Sequence, residues 1–126
     1  MNGVREMRGI RGATTITENT KEEVQQAVQE LVKEIMTKNA LQPEDIGAAI
    51  FSATEDITAA FPASGVRKIQ GMELVPVFDT RQMDVDHALP MCIRVLLLAE
   101  TEKPQREINH VYLCGAEVLR PDLVNH

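Results

Sequence analysis

Two arginines stand inside segments that otherwise look extended and apolar. Arg11 lies in MRGIRGATTI and Arg94 lies in CIRVLLLAE. A guanidinium stays charged at every ordinary pH and presents a planar fork of donors that matches carboxylates and phosphates. Because burying it without a partner is costly, such an arginine needs a carboxylate, several carbonyls or an anionic ligand. These residue types predict the binding of a small carboxylate or phosphate.

The neighbours of Arg11 favour a ligand. In a strand, side chains alternate between the two faces, so residues 9, 11, 13 and 15 share one side. Arg11 then has only small neighbours along its own face, namely Gly9, Ala13 and Thr15. That arrangement leaves space for a molecule to lie against the guanidinium.

Each of these residues also has a purely structural interpretation. Arg94 can form an ion pair with one of the 19 acidic residues, and Arg11 can be an ordinary surface arginine. Tyr112, the only tyrosine, is predicted on a strand face with His110, Cys114 and Ala116. A lone tyrosine there is either a core residue with a satisfied hydroxyl or a ligand contact.

Several other kinds of site are excluded by spacing. The three histidines, His87, His110 and His126, lack metal-ligand spacing, so we expect no metal. The chain has no P-loop, RGIRG is not the dinucleotide fingerprint, and no G-x-S-x-G element marks a nucleophilic serine. The remaining kind of site is one that binds an anion without a nucleophile, metal or cofactor.

Composition limits the partners and the compartment. A net charge of -6 and 3% aromatic residues argue against nucleic-acid binding. The N-terminus has no apolar signal region, and the longest apolar run, residues 95–99, is too short to span a bilayer. We expect a soluble cytoplasmic protein with two buried, reduced thiols, Cys92 and Cys114.

The elements that must carry these residues form one domain spanning residues 1–126. Thr20-x-x-Glu23 is a capping-box signature, and apolar residues then recur at helical spacing to about Asn39. A second helix is predicted between Pro62 and Gly71. Strands are predicted in the first stretch and in GAAIFSAT, ELVPVFD, CIRVLLLAE and HVYLCGAEVL.

This β-α-β-α-β-β-β order predicts an α+β fold, a mixed sheet of about five strands with two main helices on one face. In CIRVLLLAE, Ile93, Val95, Leu97 and Ala99 fill one face while Leu96 and Leu98 join Arg94 on the other. Both faces therefore look buried. Because two helices cover only one side, the other face needs a partner, which favours a homo-oligomer.

The whole chain resembles the trimeric, barrel-like chorismate mutases of Bacillus-type bacteria. The matching blocks, in order, are RGIRGATT, FSATEDI, AFPASGVR, VPV, MDV, CIRV, HVYL and LRPDL. The resemblance implies a homotrimeric pseudo-α/β-barrel with active sites between subunits. It also implies an isomerase of the shikimate pathway that rearranges chorismate to prephenate, for phenylalanine and tyrosine biosynthesis, without a cofactor.

The resemblance also implies roles for individual residues. Arg94 would meet the ether oxygen that becomes negative as the carbon–oxygen bond breaks, and Arg11 with Tyr112 would hold a substrate carboxylate. The apolar wall positions are Phe61, Ala63, Val77 and Leu119, further substrate contacts are Ser64 and Phe78, and the peripheral cations are Arg67 and Arg120.

Two positions depart from the family pattern. Gln82 stands where the family usually has a glutamate that accepts from the substrate hydroxyl and holds the catalytic arginine, and Asp79 stands where cysteine is common. We hypothesise that Asp79 pairs with Arg94 and meets the hydroxyl, while Gln82 gives a neutral hydrogen bond. Alternatively, Asp79 only caps a turn. Ser64 replaces a common lysine, which predicts weaker substrate binding.

Two other functions fit a small-carboxylate site. One is a trimeric imine deaminase with an interface arginine, which would leave the RGIRGATT, CIRV and HVYL blocks unexplained. The other is a non-catalytic module that binds an aromatic-pathway acid without converting it, as the missing glutamate would allow.

Overall fold

The computed structural model describes residues 4–119, which form a mixed five-stranded sheet with one long helix. The strand order is β3-β2-β4-β1-β5, in which β4 is antiparallel to β1 and β2, and the two outer strands run parallel to their neighbours. The elements are β1 (Glu6–Thr15), α1 (Lys21–Lys38), β2 (Ile46–Ala53), β3 (Val77–Arg81), β4 (Cys92–Thr101) and β5 (Val111–Tyr112). The predicted mixed sheet of five strands is confirmed.

Helix α1 begins and ends where the sequence predicts. The Thr20 side chain accepts a hydrogen bond from the Glu23 backbone N–H at 3.2 Å, which satisfies one of the free donors of the first turn. The helix ends at Lys38, and the buried Asn39 side chain donates to the carbonyls of Ile35 and Asn109. The apolar stripe packs against the sheet through buried residues that include Val24, Val28, Leu31, Val32 and Ile35.

The predicted second helix is wrong in type and length. Residues Pro62–Lys68 form a 3₁₀ helix, and the chain leaves it at Ile69 rather than at Gly71. Gly65 allows this segment to pack closely on α1, because a Cβ there would lie 2.8 Å from the Val28 Cβ and 2.9 Å from the Gln25 carbonyl oxygen. The short helix is held directly against α1, on the same side of the sheet.

The last predicted strand is much shorter than HVYLCGAEVL. After Tyr112 the chain turns at Cys114, which has a positive φ of 54°, and Cys114–Leu119 form another 3₁₀ helix. The Gly115 N–H donates to the Thr15 hydroxyl at 2.9 Å, which fixes this turn against the end of β1. Both cysteines are free, but Cys114 is exposed, so its predicted burial is wrong.

The two faces of the sheet differ in their environment. Towards α1, the residues Ile10, Phe51, Ile93 and Leu97 are fully buried. On the opposite side, which we call the open face, Arg94 is exposed and Leu96 and Phe78 are 39% and 66% exposed. In a single chain α1 and the 3₁₀ helix of residues 62–68 cover only one side of the sheet, as expected, and the open face is left without a cover.

Within residues 4–119, no helix combines the length and the apolar character that crossing a membrane requires.

Candidate active site

Four of the predicted site residues line one cavity on the open face. Arg11 from β1, Arg94 from β4 and Tyr112 from β5 surround a space of about 220 Å³, and Leu119 lies at its side. Two guanidinium groups and one phenol hydroxyl can bind an anion there. The cavity therefore brings together the donors that the sequence assigned to a small carboxylate.

The pairing of three neighbouring strands sets this geometry. Ala13 lies opposite Arg94 in the antiparallel β1–β4 pair and beside Tyr112 in the parallel β1–β5 pair. Residues paired in this way have side chains on the same face of the sheet. Because Ala13 ends at Cβ, a gap remains between the arginine and the tyrosine, and Arg11 reaches it from two positions earlier on the same strand.

Arg94 has a thiol beside it rather than a carboxylate. Cys92 precedes it by two residues on the same face, and burial raises the pKa of this thiol, while the Arg94 guanidinium offsets part of the rise. The ion pairs recorded for residues 4–119 join Arg5 to Asp45, Arg8 to Glu6 and Lys38 to Glu34, and Arg94 is in none of them. The guanidinium is thus open to an external anion.

Other predicted residues line a separate groove of about 710 Å³ on the α1 side of the sheet. It contains Phe61, Ser64 and Asp79, together with Gln25 from α1. We call residues 61–68 the wall segment, since they carry the predicted apolar wall. Phe61 is 74% exposed, so its ring projects outward from the groove. The groove and the open-face cavity share no lining residue.

The hypothesis that Asp79 pairs with Arg94 is contradicted within one chain. Asp79 lies beside the buried Phe51, and Arg94 lies opposite Ser52, the next residue of β2, so the two side chains are on opposite faces of the sheet. Asp79 Oδ1 instead accepts from the Ala63 N–H at 2.9 Å. Burial raises the pKa of Asp79, and this hydrogen bond offsets part of the rise.

Comparison with known proteins identifies the family. The model of type I chorismate mutases matches residues 7–123. The chain belongs to the type I chorismate mutase family. The AroH chorismate mutase of Bacillus subtilis is 46% identical over 117 residues, 93% of this chain and 92% of that protein. The Thermus thermophilus AroH is 48% identical over 118 residues, 93% of this chain and 96% of that protein.

The fold agrees with this assignment. A chorismate mutase structure from Clostridium thermocellum has a TM-score of 0.84 and 42% identity, and it covers 87% of this chain and 97% of that one. The predicted family and function, a chorismate mutase and hence an isomerase of aromatic amino acid biosynthesis, are confirmed.

Gln82, at the position of the usual chorismate mutase glutamate, lies in neither space described above. It lines a third cavity of about 330 Å³ that also contains Met83 and Leu89. Its N–H donates to the Ala53 carbonyl, and its buried Oε1 has no hydrogen-bond partner among residues 4–119. Because β3 stays extended through Arg81, Asp79 and Gln82 line different cavities.

The remaining predicted chorismate mutase positions are dispersed. Ala63 is buried in the main core, and Val77 packs against that core from the edge. Phe78 lies on the open face, and Arg67 is exposed on the wall segment. Arg120 lies outside the described residues.

Sequence reasoning missed two residues beside these spaces. Cys92 contacts Arg94 and could have been found from strand alternation in CIRVLLLAE. Gln25 is 8% exposed although it is polar, and it donates to the Ser64 hydroxyl at 3.0 Å. Its position beside Val24 on the buried stripe of α1 was the available signal.

Among residues 4–119, no three His, Cys, Asp or Glu side chains form a group that could hold a metal.

Proposed function

We propose that this chain converts chorismate to prephenate at the cavity formed by Arg11, Arg94 and Tyr112. The observation that carries the proposal is the convergence of two arginines and a tyrosine hydroxyl on one cavity whose floor is made by Ala13. Chorismate is a dicarboxylate, and its rearrangement breaks a carbon–oxygen bond as a carbon–carbon bond forms. The reaction requires neither a proton transfer nor a covalent intermediate.

In this proposal Arg94 is the main catalytic residue. Its guanidinium donates to the ether oxygen, where negative charge grows as the carbon–oxygen bond breaks, and to a neighbouring carboxylate. A preorganised donor of this kind contributes on the order of 3 kcal/mol to transition-state stabilisation. A rate gain of ~10⁶-fold needs about 8 kcal/mol in all, so a second contribution is required.

The second contribution is restriction of the substrate to its compact reactive conformer. Arg11 and the Tyr112 hydroxyl bind one substrate carboxylate, and the planar fork of Arg11 fixes its direction. Leu119, beside the same cavity, supports the apolar ring. Holding a flexible molecule in its reactive geometry converts binding energy into rate.

The site is completed by a second copy of the chain in a homotrimer. In one chain, two groups of predicted residues lie on opposite faces of the sheet: those of the open-face cavity, and Phe61, Ser64 and Asp79 in the groove. Because the exposed Phe61 and Phe78 need apolar partners, two copies that bring the groove of one onto the open face of the other account for both features.

Residues outside the open-face cavity supply the remaining substrate contacts, and those of the groove come from the neighbouring copy. Asp79 accepts a hydrogen bond from the substrate hydroxyl with its second carboxylate oxygen, since its first is bound to the Ala63 N–H. Gln82 gives the neutral hydrogen bond at the position of the usual glutamate. The wall positions are Phe61, Ala63, Ser64, Val77 and Phe78, and the outer cations are Arg67 and Arg120.

A direct assay tests this function. Purified protein is mixed with chorismate, and loss of its ultraviolet absorbance is followed together with the appearance of prephenate. We expect turnover at nanomolar to micromolar protein. Binding of chorismate without its conversion would contradict the proposal and would support a non-catalytic module.

A further inference from the structure

Gln25 is a polar side chain on the buried side of α1. It is 8% exposed, next to Val24 and one turn before Val28, which are fully buried. A buried amide without a hydrogen bond is costly, so its partner matters. Gln25 Nε2 donates to Ser64 Oγ at 3.0 Å, and this bond joins the helix to the wall segment.

The hydrogen bond continues into the backbone of the wall segment. Ser64 Oγ donates to the Phe61 carbonyl at 2.6 Å, so its hydroxyl is committed both as an acceptor and as a donor. This fixes the peptide from which the exposed Phe61 ring projects. At Ser64, where the family often has a lysine, the side chain forms hydrogen bonds within the protein.

Two further contacts hold the same segment in place. Gly65 lies so close to α1 that an added Cβ would meet the Gln25 carbonyl oxygen at 2.9 Å. On the other side, Asp79 accepts from the Ala63 N–H at 2.9 Å. The wall segment is therefore attached to the helix and to β3 through consecutive residues, and Gln25 is the only side-chain donor that α1 contributes to it among the hydrogen bonds recorded for residues 4–119.

We infer that Gln25 is a positioning residue for chorismate binding, acting through Ser64 to set where Phe61 stands in the site. The inference rests on the proposed function, since it concerns the same site. It predicts that loss of the amide weakens substrate binding more than it slows the chemical step. The wall segment touches the apolar ring in ground and transition states alike.

The kinetic test uses Gln25→Met, Ser64→Ala and the double variant. Each single change should raise KM by roughly three- to tenfold, the range of one hydrogen bond, while kcat stays within about twofold. The double variant should be no worse than the worse single one, because both changes remove the same connection. The matched control is Gln26→Met, which changes the exposed glutamine next along α1 and should leave KM unchanged.

A second measurement does not depend on turnover. The chain has no tryptophan, so Phe61→Trp adds a single fluorescent reporter to the wall segment. Adding Gln25→Met to this background should lower the fluorescence anisotropy of the reporter, while adding Gln26→Met should not. If the unsubstituted protein did not convert chorismate, the proposed function would fail, and the anisotropy result would still decide the role of Gln25.

Unchanged KM and unchanged anisotropy in Gln25→Met would overturn the inference, as would strictly additive effects in the double variant. If Gln25→Met does not fold, Ser64→Ala and Ser64→Thr carry the test. Ser64→Thr keeps the hydroxyl and should raise KM less than Ser64→Ala does. Equal KM values in these two variants would contradict the role of the hydrogen bond.

Discussion

At the scale of single residues, the proposed chemistry of this chorismate mutase depends on a guanidinium that is in none of the ion pairs of residues 4–119. Arg94 lies beside the Cys92 thiol and above the small Ala13, so its donors remain available. A carboxylate already bound to it would reduce the positive potential that the substrate meets. Its exposure in one chain is thus consistent with a site that closes only around substrate and a second copy.

Replacing Arg94 by citrulline should slow the reaction and leave the fold intact. Citrulline keeps the shape and several donors but loses the positive charge. The oxygen that becomes negative in the transition state therefore loses about 3 kcal/mol of stabilisation, which lowers kcat by roughly two orders of magnitude. Steady-state kinetics on semisynthetic protein would measure the change. Turnover at the original rate would refute an electrostatic role for Arg94.

The raised pKa of Asp79 predicts the direction in which the stability of the protein changes with pH. Burial raises the pKa of Asp79 above the ordinary value. The protonated side chain therefore makes its full contribution to the free energy of unfolding below about pH 4, and this contribution is lost as the pH rises through the folded-state pKa. Asp79→Asn keeps an acceptor for the Ala63 N–H and cannot ionise. Its free energy of unfolding, relative to the original protein, should therefore increase between acidic and neutral pH.

Urea unfolding at several pH values would measure this difference. Lys21, Glu55 and Arg81 also line the groove and are present in both proteins, so the comparison isolates the change at residue 79. A relative stability that decreases with pH would mean that a cation pairs with Asp79 in the assembled protein. Asp79→Ala should be less stable than Asp79→Asn throughout, because the Ala63 N–H then loses its acceptor.

At the scale of elements, the site depends on how closely α1 approaches β1. The face of β1 opposite Arg11 contains Gly12, where an added Cβ would lie 2.8 Å from Ile35 Cδ1 and 3.2 Å from the Val111 carbonyl oxygen. The absent side chain lets the helix pack directly on the strand. It also lets β5, which carries Tyr112, stay paired with β1.

Gly12→Ala should therefore destabilise the protein by about 1–3 kcal/mol through overpacking, and the displacement of β5 should raise KM. The midpoint of urea unfolding at fixed protein concentration would show the first effect, and steady-state kinetics the second. Gly9→Ala is the matched control, because a Cβ there meets only Leu96 Cδ1, at an ordinary 3.5 Å. Equal destabilisation by both changes would contradict the explanation.

At the scale of the whole molecule, the proposed function places two incomplete parts of a site on opposite faces of one chain's sheet. This arrangement predicts that two inactive variants can restore activity together. Arg94→Ala damages the open-face cavity, and Phe61→Asp damages the wall segment. In mixed assemblies, some interfaces combine the intact part of each variant.

Co-refolding the two variants in equal amounts should recover about a quarter of the original activity. Each interface of a symmetric ring receives its two halves from either variant independently, so about one interface in four combines both intact halves. Light scattering should give the mass of a trimer for the original protein and for the mixture. A mixture that stays as inactive as its components would mean that each chain builds its own site.

The sequence by itself determined α1, β1, β2 and β4, the arginines on the open face and, through the ordered blocks of resemblance, the family. These features follow from periodicity within one segment: Thr20 and Glu23 start the helix, and alternation in MRGIRGATTI separates Arg11 from Ile10. Local patterns of this kind are visible in the chain alone because neighbouring residues cause them.

Only the tertiary structure decided the side of the sheet on which Asp79 lies, the 3₁₀ form of Pro62–Lys68 and the early end of β5. Each depends on residues distant in sequence. Asp79 lies on the α1 side because of the register in which β3 pairs with β2. Gly65 lies against Gln25 and Val28 of α1, and the turn at Cys114 is held by the hydrogen bond from the Gly115 N–H to the Thr15 hydroxyl. Register and close approach between separate segments are properties of the folded chain, so no window of the sequence contains them.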